Sequence, residues 1–333
     1  MITDIGKWNA RFDFSAIDYQ NKALSEKNLS LVYELNWFKC FLPKTLNGME
    51  FQLWDGLTVI RKASGINGSL GWLVNLGGGA NFFWHYFEDE KSAEIFSSRE
   101  TVLAGSGRLG VLEENRDGLY LSGTWANCSG SAHATHFTVS AAASSGDTQS
   151  FLVEREKVSI KKYWPFDALQ ASSSHQISID ALKVSEDSMF KIDQSKTKLD
   201  YPLRFLSFSN FAQLSMLMSV LGMYEGLLYR IKEEKPTVFD RLGGDMLYED
   251  FTERLKQLEK VSTEIWTACK LASGLVERDL DSIIQESVLF IEGACSNVIR
   301  TMGMELWRKD SLIHLSWKDL MLALQHGMLK VKS

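Results

Sequence analysis

Cysteine is scarce in this sequence. Four occur in 333 residues (Cys40, Cys128, Cys269 and Cys295), and no two form a Cys-x-x-Cys pair. With no histidine near them at zinc-ligand spacing, neither a disulfide framework nor a zinc site is expected, and the four read as buried thiols of a reduced compartment. An excess of positive charge is lacking too. Lys and Arg number 36 against 42 Asp and Glu, a net charge of −6, with both signs scattered along the chain. Long-range attraction to nucleic acid or anionic lipid is therefore not expected. Unbroken apolar runs are missing: the most apolar stretch, 205–229, is interrupted by Gln213 and Glu225, which suits a bundle core better than a membrane span. The opening MITDIGKWNARFDF has no apolar core behind a basic start, so no secretory leader is expected and a cytoplasmic location follows. A Gly-x-Ser-x-Gly elbow is also absent, which argues against serine hydrolysis.

What is present falls into three zones of different periodicity. Residues 15–100 read as short helices; in LWDGLTVIRKA, for example, Leu53, Leu57 and Ile60 fall on one helical stripe. Runs between 101 and 192, among them GLYLSGTWANC, HFTVSAAA, SFLVERE and HQISIDALKV, are β-branched or aromatic and separated by turn residues. Short strands without intervening helices predict an antiparallel β-barrel or sandwich, with the barrel the expected form. From about 203 the helical period returns in four long segments, 203–234, 246–276, 278–302 and 311–330, with Pro236 and Gly243-Gly244 marking the first break. Long amphipathic helices with short connections predict a four-helix bundle. The expected class is α+β and mostly α: an N-terminal helical domain over 1–100, a middle barrel over 101–195 and a C-terminal bundle over 196–333.

Four clusters carry candidate chemistry. Gly105, Gly107 and Gly110 make a Gly-x-Gly-x-x-Gly string, but VLEENRDGLYLSG follows where a dinucleotide-binding fold needs a helix. They read as a loop at a barrel rim, where Ser106 and backbone amides can approach a ligand. The segment SGTWANCSGSAHATH (122–136) concentrates hydroxyls and histidines, with a Ser/Gly-rich hairpin as the plain alternative. His133 and His136 point to opposite faces of a strand at that spacing, so no metal site is expected. WPFDALQASSSHQI (164–177) brings three serines before His175 with no acid to orient the imidazole, and reads as a polar connection. In DSLIHLSWKDLMLALQH (310–326), Leu312, Leu315 and Leu320 make an expected core stripe, with His314, Lys318, Asp319 and His326 decorating the helix.

The order of these clusters resembles the acyl-CoA dehydrogenase superfamily, and within it the flavin-dependent monooxygenase branch. GTWANCSGSAHATHF is similar to that branch's Gly-x-Trp-x-aromatic-x-Ser-Gly-x-x-His-Ala strand through Gly123, Trp125, Ser129, Gly130, His133 and Ala134, while Asn127 replaces the aromatic. ALQASSSHQISIDALKV resembles the loop that usually reads Gly-Leu-Arg-Gly-Thr-Gly-Ser. Leu169 and Ser174 are kept, Ser172 stands for Thr, and Ser173 stands for the central Gly. The terminal helix resembles Leu-x-Arg-x-x-Arg-Asp-x-x-x-Ala-x-x-His through Leu312, Asp319, Ala323 and His326, with His314 and Lys318 replacing the arginines. Near the N-terminus, Leu42-Pro43 matches a Leu-Pro turn that Asn47-Gly48 follows in place of Gly-Gly.

The resemblance implies a flavin, FAD or alternatively FMN, held between barrel and bundle in a homodimer or homotetramer. Ser106, Ser129, Gly130 and Ser174 would line it, donating hydrogen bonds that stabilise negative charge on the reduced ring, and His326 would be the acid/base or orienting residue. Two chemistries remain open. A dehydrogenase removes the alpha proton of an acyl-CoA thioester with a bundle-borne glutamate, for which Glu225 is the candidate here, and passes electrons to a transfer partner. A monooxygenase takes reduced flavin from a partner reductase and hydroxylates a small aromatic substrate. A third reading is a non-catalytic member that keeps the fold as a binding or assembly module. It is motivated by the altered positions Asn127, Ser173 and His314, and by RIKEEKPTVFDRL (230–242) where relatives grip the cofactor's phosphates.

Overall fold

A computed structural model of the chain describes residues 2–14 and 20–330. The start of the expected helical zone, residues 15–19, and the last three residues lie outside the described residues. Helices α1 (Ile2–Asn9), α2 (Glu26–Glu34), α3 (Leu53–Ile66), α4 (Gly68–Asn81) and α5 (Asp89–Ile95) come first. Strands β1 (Leu103–Asn115), β2 (Gly118–Cys128), β3 (His136–Ala143), β4 (Thr148–Glu154), β5 (Ser159–Lys161), β6 (His175–Val184) and β7 (Met189–Phe190) follow. The C-terminal helices are α6 (Phe208–Glu234), α7 (Pro236–Arg241), α8 (Gly244–Leu271), α9 (Asp281–Met302) and α10 (Leu312–Ala323).

Local chemistry sets the boundaries. Asn67, extended at φ −159°, separates α3 from α4 and caps the latter by accepting from the Leu70 N–H. Ser207 does the same for α6 through Asn210. Pro236 enters at the first turn of α7, where its missing N–H is no loss, and Gly243 leaves that helix at φ +66°.

The strands form one sheet in the order β5-β6-β2-β1-β3-β4-β7, with β5 and β7 at its edges. It is mixed, which corrects the expectation of a purely antiparallel barrel: β1 and β3 run parallel from Leu103↔His136 to Leu112↔Ala143. The cause is the turn 129–135. It carries the chain from the end of β2 across the start of β1, where Thr135 donates its N–H and hydroxyl to the Val102 carbonyl, and so sets β3 off in the direction of β1. The glycine string is also not a loop. Gly105, Gly107 and Gly110 lie inside β1, at a register shift between Gly105 and Leu109.

The sheet has its own core, built on Leu121, Trp125, Phe137, Phe151 and Ile177. The N-terminal and C-terminal helices share another, in which Phe82 and Phe211 stack with ring centroids 4.0 Å apart. Helix α6 is apolar and long enough to cross a membrane, yet 94% of its most apolar window is buried within the protein, so it is the central helix of this shared core. The four cysteines are buried and free, and burial pushes each thiol up to about 12.

Helices α3 and α6 approach closely because small residues face each other. A Cβ at Gly222 would stand 2.2 Å from the Arg61 carbonyl oxygen, and one at Gly226 would stand 2.3 Å from that of Gly65. Backbone cannot yield as a flexible side chain does. Gly222→Ala is expected to force the helices apart and destabilise the protein by about 1–3 kcal/mol; a thermal melt that matches the parent would contradict this packing. Next to the glycines, Arg61 Nη1 meets Glu225 Oε2 at 2.9 Å in a buried ion pair. Arg230 bonds the last carbonyls of α3, Gly65 and Ile66, satisfying acceptors that the helix end leaves open.

Candidate functional site

Four parts of the chain meet where the sheet abuts the helices: the end of β2, the 169–174 loop, the first turns of α4 and the terminal helix α10. They are joined by a chain of buried hydroxyls. Trp72 Nε1 donates to Ser129 Oγ at 3.1 Å, Ser129 Oγ lies 2.7 Å from Ser174 Oγ, and Ser174 Oγ lies 2.8 Å from Ser172 Oγ. Ser172 Oγ donates to the Leu169 carbonyl at 2.6 Å.

The two ends fix the direction of the whole chain. A hydroxyl has one proton, and Ser172 gives its own to Leu169, so Ser174 must donate to Ser172 and Ser129 must donate to Ser174. Ser129 then accepts from Trp72 and keeps one lone pair unused. Toward any incoming group it acts as an acceptor, which corrects the expectation that its hydroxyl donates to a ligand.

His326 belongs to the same place. Its ring meets the Trp72 indole edge-on at 5.5 Å, and its Nδ1 accepts from the Met328 N–H at 3.3 Å. A ring nitrogen that accepts is unprotonated, so the proton of the neutral ring sits on Nε2, which no described residue bonds. Burial lowers the pKa of His326 and so favours this neutral form. The half-buried ring thus offers a donor, packed on the same Trp72 indole that bonds Ser129.

Backbone conformation explains several residues in the motif. Gly130 has φ +80°, and its N–H bonds the Ser172 carbonyl at 3.1 Å; glycine suits that conformation without strain. Asn127 (φ +61°) sits at the register shift between Trp125 and Cys128, a bulge conformation that asparagine tolerates better than an aromatic residue. Leu169 and Ser173 are left-handed at φ +51° and +54°. Ser173 thus adopts the conformation expected of the glycine it replaces, and its hydroxyl lies 3.1 Å from His133 Nε2. Burial, aided by Arg155 and His175, pushes His133 down to about 4, so it is neutral.

The terminal helix corrects the sequence-based stripe. Leu312 is half exposed, whereas Ile313, His314, Trp317, Asp319 and Leu320 are buried. Asp319 is therefore no surface decoration. Its Oδ1 accepts the Leu169 N–H at 2.7 Å. Lys318 pairs with Asp167 at 3.1 Å on the outer side of the same contact.

Of the residues expected to line a ligand, Ser129, Gly130 and Ser174 are brought together, and His326 reaches them through Trp72. Ser106 stands apart from that chain: its hydroxyl donates to the Ala126 carbonyl at 2.9 Å, across β1 and β2. Glu225, the candidate base, is held by Arg61 between α3 and α6. His133 and His136 have separate partners, Ser173 and Thr135, and a groove of about 470 Å³ lined by both, with Arg155, opens on the β3–β4 side. Sequence reasoning missed Trp72 and Ser69, whose Oγ accepts from the Ala171 N–H at 3.2 Å. Both sit in an apolar run, GSLGWLVNLGGG, and their partners lie 57 and 102 residues away; no local pattern marks them.

No family model matches the chain. A pigment production hydroxylase of Rhodococcus sp. (strain ATCC 21145) is 23% identical over 342 residues, covering 94% of this chain and 88% of that protein. An indole-3-acetate monooxygenase of Pseudomonas putida is 26% identical over 196 residues, 56% of this chain and 48% of that protein. Among solved structures, XiaF from Streptomyces sp. in complex with FADH2 and glycerol superimposes with a TM-score of 0.85 at 18% identity, covering 99% of this chain and 91% of that one. A glutaryl-CoA dehydrogenase from Mycobacterium smegmatis in complex with FADH2 gives 0.73 at 11% identity, covering 93% and 84%. The chain has the acyl-CoA dehydrogenase fold.

Proposed function

We propose that this chain is a flavin-dependent monooxygenase, taking reduced FAD, or alternatively FMN, from a partner reductase and hydroxylating a small aromatic molecule. The observation that carries this reading is the fixed direction of the Trp72–Ser129–Ser174–Ser172 chain. It leaves Ser129 an acceptor, and the His326 ring, a donor at Nε2, packs on the same Trp72 indole. That pair fits a ring edge bearing both an N–H and a carbonyl. At its N5 and C4-carbonyl edge reduced isoalloxazine offers such a pair, whereas the oxidised ring has no N–H at N5 and presents one only at N3. When bound, reduced flavin supplies the electrons with which oxygen is activated. The chain's own residues bind and orient: Ser129 accepts, His326 donates, and the buried Trp72 holds both in register while excluding water from one side.

The names of the relatives, a hydroxylase and a monooxygenase, agree with this choice. Acyl-CoA dehydrogenation is disfavoured because Glu225, the one glutamate suggested as base, is buried in an ion pair. A homodimer or homotetramer in the cytoplasm, with a neighbouring subunit completing the flavin site, remains part of the proposal.

The test is an anaerobic spectral titration of the purified protein with oxidised and with dithionite-reduced FAD and FMN. Reduced flavin is expected to bind at least tenfold more tightly than oxidised, a difference of about 1.4 kcal/mol that one hydrogen bond of this kind can supply. Equal affinity for the two forms would remove the basis of the assignment. Reduction of bound flavin by an acyl-CoA thioester would replace it with the dehydrogenase.

A further inference from the structure

We propose that Asp319 is the positioning residue of this site: its ionised carboxylate latches the 169–174 loop and so holds the hydroxyl chain in the direction that makes Ser129 an acceptor. The inference rests on the flavin reading above for what the site binds, but not for the latch itself.

The contacts form a circuit that begins and ends on the terminal segment. Asp319 accepts the Leu169 N–H at 2.7 Å, and the Leu169 carbonyl takes the proton of Ser172, the anchor of the hydroxyl chain. That chain runs through Ser174 and Ser129 to Trp72, whose indole packs on His326, seven residues after Asp319. Leu169 and Ser173 both hold left-handed conformations, which non-glycine residues keep only where their surroundings enforce them. A second support comes from α4. Ser69 accepts from the Ala171 N–H, and Gly68 gives the carboxylate room, since a Cβ there would stand 2.6 Å from Asp319 Oδ2.

The carboxylate is an unfavourable thing to bury here, which separates a functional role from a structural one. Burial raises Asp319 from 3.8 to about 6, in spite of the Leu169 N–H, Lys318 on its own helix and Arg230 of α6; Asp167, on the loop, adds to the rise. At α4 the neighbours are Gly68 and Ser69, which do not titrate. A folded value above the unfolded one means that the ionised form weakens the fold. That penalty is full above pH 6 and fades as the pH falls towards 4. A residue kept only for stability would not carry such a penalty when asparagine offers the same acceptor without it. What asparagine lacks is the charge that strengthens the bond to Leu169.

The experiment compares the full-length protein with Asp319→Asn by thermal melting, by anaerobic titration with dithionite-reduced FAD, and by amide exchange over residues 168–175. Asp319→Asn is expected to melt higher than the parent at pH 8, with the gap closing between pH 6 and pH 4. Its dissociation constant for reduced FAD at pH 8 is expected to rise about tenfold, the loss that a weakened charge-assisted bond produces, to the value the parent shows at pH 5. Gly68→Ala, which pushes the same carboxylate from the other side, should reproduce the loss of affinity. A lower melting temperature for Asp319→Asn at pH 8, or an affinity that keeps the parent's pH dependence, overturns the latch. If the parent binds no reduced FAD at any pH, the flavin reading fails instead. Amide exchange then decides the latch alone: faster exchange in Asp319→Asn at pH 8 sustains it, and equal exchange ends it.

Discussion

Ser129→Ala is expected to raise the dissociation constant for reduced flavin by roughly tenfold to a hundredfold and to lower stability by about 1–3 kcal/mol. Both effects have one origin. The substitution removes the acceptor offered to the ring's N–H, and it leaves the buried Trp72 Nε1–H without its only partner among the described residues. An unmade hydrogen bond at a buried donor is more damaging than the bond is stabilising when made. Ser129→Thr keeps a hydroxyl and should recover most of both losses. The direction of the chain has its own control. Ser172→Ala removes the hydroxyl that donates to Leu169, so Ser174 is released to donate to Ser129, and Ser129 can turn its proton outward. The preference for reduced over oxidised flavin should then shrink about tenfold, close to 30 mV for a two-electron couple. An unchanged ratio of the two dissociation constants in Ser172→Ala would show that the hydroxyl order does not set the preference.

The largest loss of stability is expected at the Arg61–Glu225 pair, far from any ligand role. Its side chains are 11% and 5% exposed and meet at 2.9 Å. Arg61→Ala would remove the guanidinium that the buried Glu225 meets between α3 and α6. Removing one member of such a pair destabilises by about 3–5 kcal/mol, because the remaining buried charge loses the opposite charge it met directly. Replacing both at once, as Arg61→Met with Glu225→Leu, removes the stranded charge and should return most of the stability. Urea unfolding midpoints of the two variants make the comparison. If the double variant is no better than the single, the pair is not the source of the loss.

Much of the architecture was legible because local periodicity and tertiary role agree. The run 203–234 reads as one helix and forms α6 from Phe208, where Ser207 supplies the cap. GLYLSGTWANC reads as a strand and is β2 from Gly118 to Cys128. Leu53, Leu57 and Ile60 read as a buried stripe and are buried. Reading failed where the deciding partner is remote. Nothing in HFTVSAAA tells that β3 runs parallel to β1, because direction is set by the turn 129–135 crossing the start of β1. The terminal helix was read in part: Leu320 is core as expected, but Leu312 is half exposed, and His314, Trp317 and Asp319 turn inward.

By itself, then, the sequence determined the order of helices, strands and helices, and the places where serines, glycine and histidine gather at 129–130, 172–174 and 326. Apolar period and turn chemistry act over a few residues and can be read from them. Only the tertiary structure decided what those residues do together. Whether Ser129 donates or accepts depends on which groups already hold its proton and its lone pair. Those groups are the indole of Trp72 and the loop fastened by Asp319, brought from 57 residues before and 190 residues after it along the chain.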